Sequence, residues 1–261
     1  DAVYIATPPN VHKAYTEQVA AAGKPVYVEK PMALNLAECQ EMIAACDAAG
    51  VPLFVAYYRR RLPRFLKIKE LLDTGAIGAA RFVTVSLHQT ARPAHRVAED
   101  LPWRVQPEIA GGGIFVDLAA HTLDYLDYFL GPVSEVAGFG GNQAKLYPAE
   151  DTVTGSWRYA SGVQGAGAWC FDSYTNADET RIVGTQGELV FSSFGEEPVR
   201  LITAAGTQEF AIPHPPHIQQ SLIQTMVDQL NGQSACPSTG VSAARTTWVM
   251  EQMIANYYRN K

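Results

Sequence analysis

Asp1-Ala2-Val3-Tyr4-Ile5-Ala6-Thr7-Pro8-Pro9-Asn10-Val11-His12 is the stretch that decides the fold. Its first six residues read as a buried strand already under way at residue one, and the next six turn directly into a helical pattern. Val11, Tyr15, Val19 and Ala22 recur at helical spacing, and Gly23 closes that helix. Pro25-Val26-Tyr27-Val28 is a second strand, ending in Glu29-Lys30-Pro31. A second helix follows, with Asn35 as its cap and Leu36, Cys39, Ile43 and Cys46 inward, stopping at Gly50 before a third strand, 51–56. Alternation of this kind is the right-handed crossover pattern of a parallel sheet. No G-x-G-x-x-G follows a strand, so residues 1–56 read as the C-terminal half of a doubly wound dinucleotide-binding domain. The first half is absent from the sequence as given, and the strand at Val3 is left at an open edge.

The character changes from Tyr57. A helix over 63–74, closed by Gly75, leads into a long strand over 80–89 marked by Phe82, Val83, Val85 and Leu87. A polar loop spans 91–107. Gly111-Gly112-Gly113 then opens a strongly apolar helix reaching Leu130. Strands are predicted at 133–140, 152–159, 163–171, 179–184, 187–192 and 199–203, separated by turn residues as in an antiparallel meander. Helices over 218–231 and 242–259 finish the chain. Residues 57–261 therefore read as an α+β domain, an open and mostly antiparallel sheet with helices on one face.

Of 261 residues, 47% are hydrophobic and 18% charged, a balance that supports a substantial core. The formal charge of −6 argues against nucleic-acid binding, which needs a basic footprint. The one basic run, Arg59-Arg60-Arg61 with Arg64, Lys67 and Lys69, reads as a solvated helix face, with one arginine free to meet a substrate. Cys39, Cys46, Cys170 and Cys236 lack C-x-x-C spacing. Cys39 and Cys46, seven apart on a predicted helix, read as small buried residues rather than metal ligands or a disulfide. Nothing demands an oxidising compartment, and a cytoplasmic location is expected. No apolar run reaches membrane length.

Four groups of residues point to chemistry. Lys30 ends a parallel strand, where open α/β sheets place their ligands, and Pro31 restricts its backbone so that the amine can be aimed into a cleft. A surface lysine in a turn is the alternative. Asp117 and His121 stand four apart on one face of an otherwise apolar helix, with Asp124 beyond them. A carboxylate and an imidazole in such a helix fit a proton-transfer histidine tuned by an aspartate, or a structural i, i+4 hydrogen bond. With only two ligands evident, a metal site fits less well. Thr7-Pro8-Pro9-Asn10-x-His12 puts a hydroxyl, an amide and an imidazole at a helix start, as a ligand-binding turn or a simple cap. Trp103-Arg104 offers an aromatic edge and a guanidinium to a polyol or carboxylate.

Together the motifs A-T-P-P-N-V-H (6–12), E-K-P (29–31), W-R-V-Q-P-E-I-A-G-G-G (103–113) and D-L-A-A-H-T-L-D (117–124) resemble the Gfo/Idh/MocA oxidoreductases, in order and spacing. The resemblance implies an N-terminal Rossmann domain for NAD or NADP and a C-terminal α/β domain whose sheet mediates dimer or tetramer contacts. It further implies that Lys30 contacts the nicotinamide ribose and substrate, that His121 is the acid/base with Asp117 as partner, and that Thr7, Pro8, Asn10, His12 and Glu29 line the cofactor. Lys30, Trp103, Arg104, Asp117 and His121 would meet a sugar, cyclitol or related polyol. The departure from the family's pattern is the missing glycine-rich turn, from which the chain as given is expected to bind cofactor weakly. Two other readings remain open: a non-catalytic dimeric binding relative, and a glycoside-processing enzyme that begins by transient oxidation.

Overall fold

The computed structural model describes residues 1–96 and 100–259, so part of the polar loop expected over 91–107 lies outside the described residues. Strands β1 (Val3–Ile5), β2 (Val26–Val28) and β3 (Leu53–Val55) form a three-stranded parallel sheet in that order. Helices α1 (His12–Ala21) and α2 (Leu36–Ala48) make the crossovers. β2 and β3 are buried at every position, as parallel strands covered on both faces must be. Asn35 caps α2 as expected, its Oδ1 accepting the Glu38 amide at 2.9 Å.

The expected inward face of α1 is out of phase by one residue. His12, Thr16 and Ala20 are its buried positions, while Tyr15 is exposed. Hydrophobic spacing misleads here because His12 is drawn inward by carbonyl groups rather than by apolar contact.

The second region opens with α3 (Pro63–Asp73) and β4 (Ala80–His88), followed by the single turn α4 (Pro107–Ala110) and the long α5 (Ile114–Leu130). Then come β5 (Val133–Gly141), β6 (Thr152–Tyr159), β7 (Gln164–Cys170), β8 (Ala177–Gly184), β9 (Gly187–Phe191), β10 (Val199–Thr203) and β11 (Gly206–Phe210). Helices α6 (Gln220–Leu230) and α7 (Gly240–Arg259) complete the chain. The eight strands lie in the order β11-β10-β9-β8-β4-β7-β6-β5. Every pairing is antiparallel except β4 with β7, so the simple meander is corrected: β4 is inserted between β7 and β8. β11 was not expected from the sequence; its exposed, polar pattern carries no alternation to reveal it.

Side chains alternate across this sheet. Val83, Val85 and Leu87 are buried, whereas Phe82 on the other face is exposed. Helix α7 crosses β5 so closely that a Cβ on Gly138 would lie 2.7 Å from Met253 Cα, and it also packs on α2 and β3. It thereby locks the small sheet to the large one.

The basic run after β3 is not a solvated face. Arg59, Arg60 and Arg64 are all buried. Arg60 makes a two-pronged pair with Asp124 (2.8 and 2.7 Å) and reaches Asp127 at 3.3 Å, while Arg245 of α7 also clasps Asp127. Burial raises the Asp124 carboxyl to about 6 against the opposing pull of Arg60. Arg64 donates to Ser192 Oγ and to the carbonyls of Gly195 and Glu197. These cations join the segment after β3 to α5, α7 and the loop after β9. Their charge is consumed internally because each faces a buried carboxylate or carbonyl.

Candidate functional site

The C-terminal ends of β1 and β2 and the N-terminal half of α5 meet at one place. Lys30 follows β2, and its peptide bond to Pro31 is cis. Its amine lies 2.5 Å from Asp117 Oδ1 and 3.0 Å from the Asp117 carbonyl. Arg104 Nε approaches the other carboxylate oxygen at 3.4 Å, with its guanidinium stacked on Trp103 at 4.3 Å. Four of the expected residues, Lys30, Asp117, Trp103 and Arg104, are thus brought together. Lys30 and Asp117 are only partly buried, so this pair remains open to a ligand.

His121 stands one helical turn beyond Asp117 on α5. The expectation that Asp117 is its direct partner is corrected: the Asp117 carboxylate is taken by Lys30 and Arg104. His121 instead sits in a box of rings, Tyr58 at 5.1 Å, Phe194 at 6.0 Å and Tyr57 at 6.4 Å between centroids. It is 4% exposed, and its Nδ1 is buried with no hydrogen-bond partner among the described residues. Burial first, then the charges of Arg59 and Lys30, hold its pKa well below the usual histidine value. The imidazole is therefore neutral at physiological pH.

Tyr58 and Phe194 were not singled out from sequence, and Arg59 only as one of the basic run. Arg59 donates to Ser193 O (2.9 Å) and Tyr58 Oη (2.8 Å), and its guanidinium lies over both the Tyr58 and Phe194 rings. The basic run was a signal for Arg59. Phe194, in an irregular turn after β9, had none.

In the first motif, Asn10 is exposed, Thr7 and Pro8 are half-buried, and the Thr7 hydroxyl is sealed without a partner among the described residues. His12 is wholly buried and does not line a cofactor, which corrects that expectation. Its Nε2 lies 2.7 Å from Thr7 O, and its Nδ1 lies 3.1 and 3.2 Å from the carbonyl oxygens of Pro31 and Met32. It ties the turn after β1 to the turn that carries Lys30. Glu29 accepts from the Tyr4 hydroxyl, from Gln219 Nε2 (2.7 Å) and from the Lys30 amide (3.1 Å). Burial and the Glu29 carboxylate raise the Tyr4 phenol to about 12.

A small parallel sheet joined to a larger, mostly antiparallel one, with a strand-end amine facing a carboxylate and a neutral imidazole on a helix, has the class features of a dinucleotide-dependent oxidoreductase. Residues 1–57 match the model of the oxidoreductase family with an NAD-binding Rossmann fold, and residues 65–190 match the GFO/IDH/MocA C-terminal domain. Oxidoreductase P35 of Formosa agariphila is 34% identical over 96% of this chain and 77% of its own length. The 1,5-anhydro-D-fructose reductase of Ensifer adhaerens is 28% identical over 92% of this chain and 72% of its own. Among solved structures, the WlbA dehydrogenase from Bordetella pertussis, in complex with NADH and UDP-GlcNAcA, superposes with a TM-score of 0.81. It is 28% identical, and the match covers all of this chain and 77% of that one. The chain belongs to the GFO/IDH/MocA family of oxidoreductases.

Proposed function

We propose that this chain carries the proton-transfer and substrate-binding face of an NAD(P)-dependent dehydrogenase acting on a sugar, cyclitol or related polyol. The observation that carries this reading is the Lys30–Asp117 pair one helical turn from a buried, neutral His121. The sugar names borne by the Ensifer and Bordetella relatives support the substrate class.

The residues present fit the nicotinamide end of the cofactor. The sealed Thr7 hydroxyl lacks a partner among the described residues, at the strand end where open sheets bind dinucleotides. Thr7, Pro8, Asn10 and Lys30 would hold that end. When bound, the nicotinamide would take a hydride from the carbinol carbon of the substrate. His121 accepts the hydroxyl proton; with Nδ1 sealed, Nε2 is the nitrogen left for the transfer. The Lys30 ammonium, anchored on Asp117, stabilises the charge that develops on the substrate oxygen. Arg104 and Trp103 hold the substrate's outer hydroxyls. Reversal of these steps gives the reductase direction.

Two copies would pair through the open face of the large sheet, where Phe139 is 74% exposed and Phe82 lies bare. The four free cysteines support a reducing, cytoplasmic setting, and no described helix is long and apolar enough to cross a membrane. The test is a panel of aldoses, cyclitols and polyols with NAD or NADP, followed by nicotinamide absorbance and product identification. Stoichiometric reduction of the cofactor with a keto or lactone product is expected. Exchange of the substrate C–H hydrogen without net cofactor reduction would favour transient oxidation of a glycoside instead. Neither cofactor reduction nor exchange with any substrate would contradict the proposal and favour a binding protein.

A further inference from the structure

A cavity adjoins the histidine box. It measures about 440 Å³, within the range of small-molecule sites, and opens where the end of β4 meets the start of β8. Leu87 and Phe194 give it an apolar floor, and Gln89, Arg92, Asn176 and Glu197 stand around it. Phe194 is the shared wall, since the same ring lies 6.0 Å from the His121 imidazole.

The Phe194 ring is held by a dedicated device. Asp178 accepts from the consecutive amides of Ser193 (2.9 Å), Phe194 (2.7 Å) and Gly195 (3.2 Å), which fixes the turn. Arg59 covers the ring at 4.5 Å and ties down Ser193 O. An aromatic side chain left partly open yet so firmly placed suits a ligand that packs against it. Around it the chemistry is mixed: the Gln89 and Asn176 amides, the His88 imidazole, the Arg92 guanidinium and the Glu197 carboxylate supply donors and acceptors. The Asp178 carboxylate, also in the lining, is already engaged by the three turn amides. Asn176 Oδ1 accepts from the Thr90 amide at 3.0 Å, which orients its NH2 group. An apolar floor with a balanced polar rim matches a neutral, hydroxyl-rich ring rather than an anion or an aliphatic chain.

We propose that this cavity is a subsite for a second sugar unit, so that the substrate is a glycoside or oligosaccharide with its reacting ring at Lys30 and His121. This inference rests on the sugar dehydrogenase reading. Oxidation occurs at the ring beside His121, and the unit over Phe194 contributes binding only.

The experiment titrates maltose, cellobiose and lactose, with glucose and galactose as single-ring controls, against the protein and its Gln89→Ala and Asn176→Ala variants by calorimetry. At least one disaccharide is expected to bind about tenfold more tightly than its single ring. Both variants should remove that advantage and leave single-ring affinity unchanged. Equal affinities for all disaccharides and single rings, or an advantage that survives both variants, would overturn the subsite. A parallel hydride-transfer assay separates the two readings. Turnover of single rings without any disaccharide preference removes the subsite alone, whereas variant-sensitive disaccharide binding without hydride transfer to NAD or NADP sustains the subsite and removes the dehydrogenase reading.

Discussion

The Lys30 ammonium lies 2.5 Å from Asp117 Oδ1, joining the end of a parallel strand to a helix of the other domain one turn before His121. A cation fixed in this way is pre-oriented for charge that develops on a substrate oxygen. Lys30→Met is therefore expected to lower kcat by about 10²–10³-fold, the usual cost of losing one such donor. Steady-state kinetics beside a thermal melt would check it, and an unchanged kcat in a folded variant would count against the role of Lys30.

Because burial and the charges of Arg59 and Lys30 hold the His121 pKa down, two pH effects follow. In the oxidation direction, the acid limb of kcat/KM should fall below the ordinary histidine value of about 6.5. Arg59→Gln removes a neighbouring positive charge and should move that limb upward. In folding, the unfolded chain takes up the histidine proton at higher pH than the native one. This contribution is complete above about 6.5 and declines as pH falls from there toward the native-state pKa. A pH–rate profile whose limb is unmoved in Arg59→Gln would refute the electrostatic assignment.

Much of the architecture was readable because its signals are local. Asn35 reads as a cap and is one, and Gly111-Gly112-Gly113 announces the long helix that carries Asp117 and His121. Lys30 was recognisable as a strand-end amine. What stayed hidden depends on contacts between distant segments. Arg59, Arg60 and Arg64 look like a solvated run until the carboxylates of α5 and the carbonyls after β9 are folded against them. His12 looks like a cofactor ligand until the carbonyls of Pro31 and Met32 close over it. The insertion of β4 beside β7 likewise leaves no mark in either strand's own pattern.

His12 holds two turns of the site through three carbonyl oxygens from a fully buried position. Replacing it with alanine removes the ring N–H available to these carbonyls and empties a fully buried position, and should destabilise the protein by about 1–3 kcal/mol. Hydride transfer should fall as well, through loss of Lys30 placement, with kcat affected more than KM. Chemical denaturation and kinetics on His12→Ala measure both effects; a stable variant with normal kcat would show that the brace is dispensable.

The buried network of Arg60, Asp124, Asp127 and Arg245 ties α5 to α7 and to the segment after β3. Asp124→Asn deprives the Arg60 cation of its two-pronged partner, leaving only the longer contact to Asp127, and should cost up to about 3–5 kcal/mol. Replacing both partners by apolar residues, as in R60M/D124L, should recover most of that loss, since the remaining desolvation penalty disappears. Urea melts of the single and double variants would reveal the coupling. Additive losses would mean that the pair is not the unit of stability.

Transfer of deuterium from a C-deuterated substrate to nicotinamide C4, followed by mass spectrometry in the wild type, Lys30→Met and His121→Ala, tests most directly whether amine and imidazole serve one reaction. Label should reach the cofactor in the wild type and fall steeply in both variants while each remains folded. Undiminished transfer in either variant would contradict a shared reaction centre.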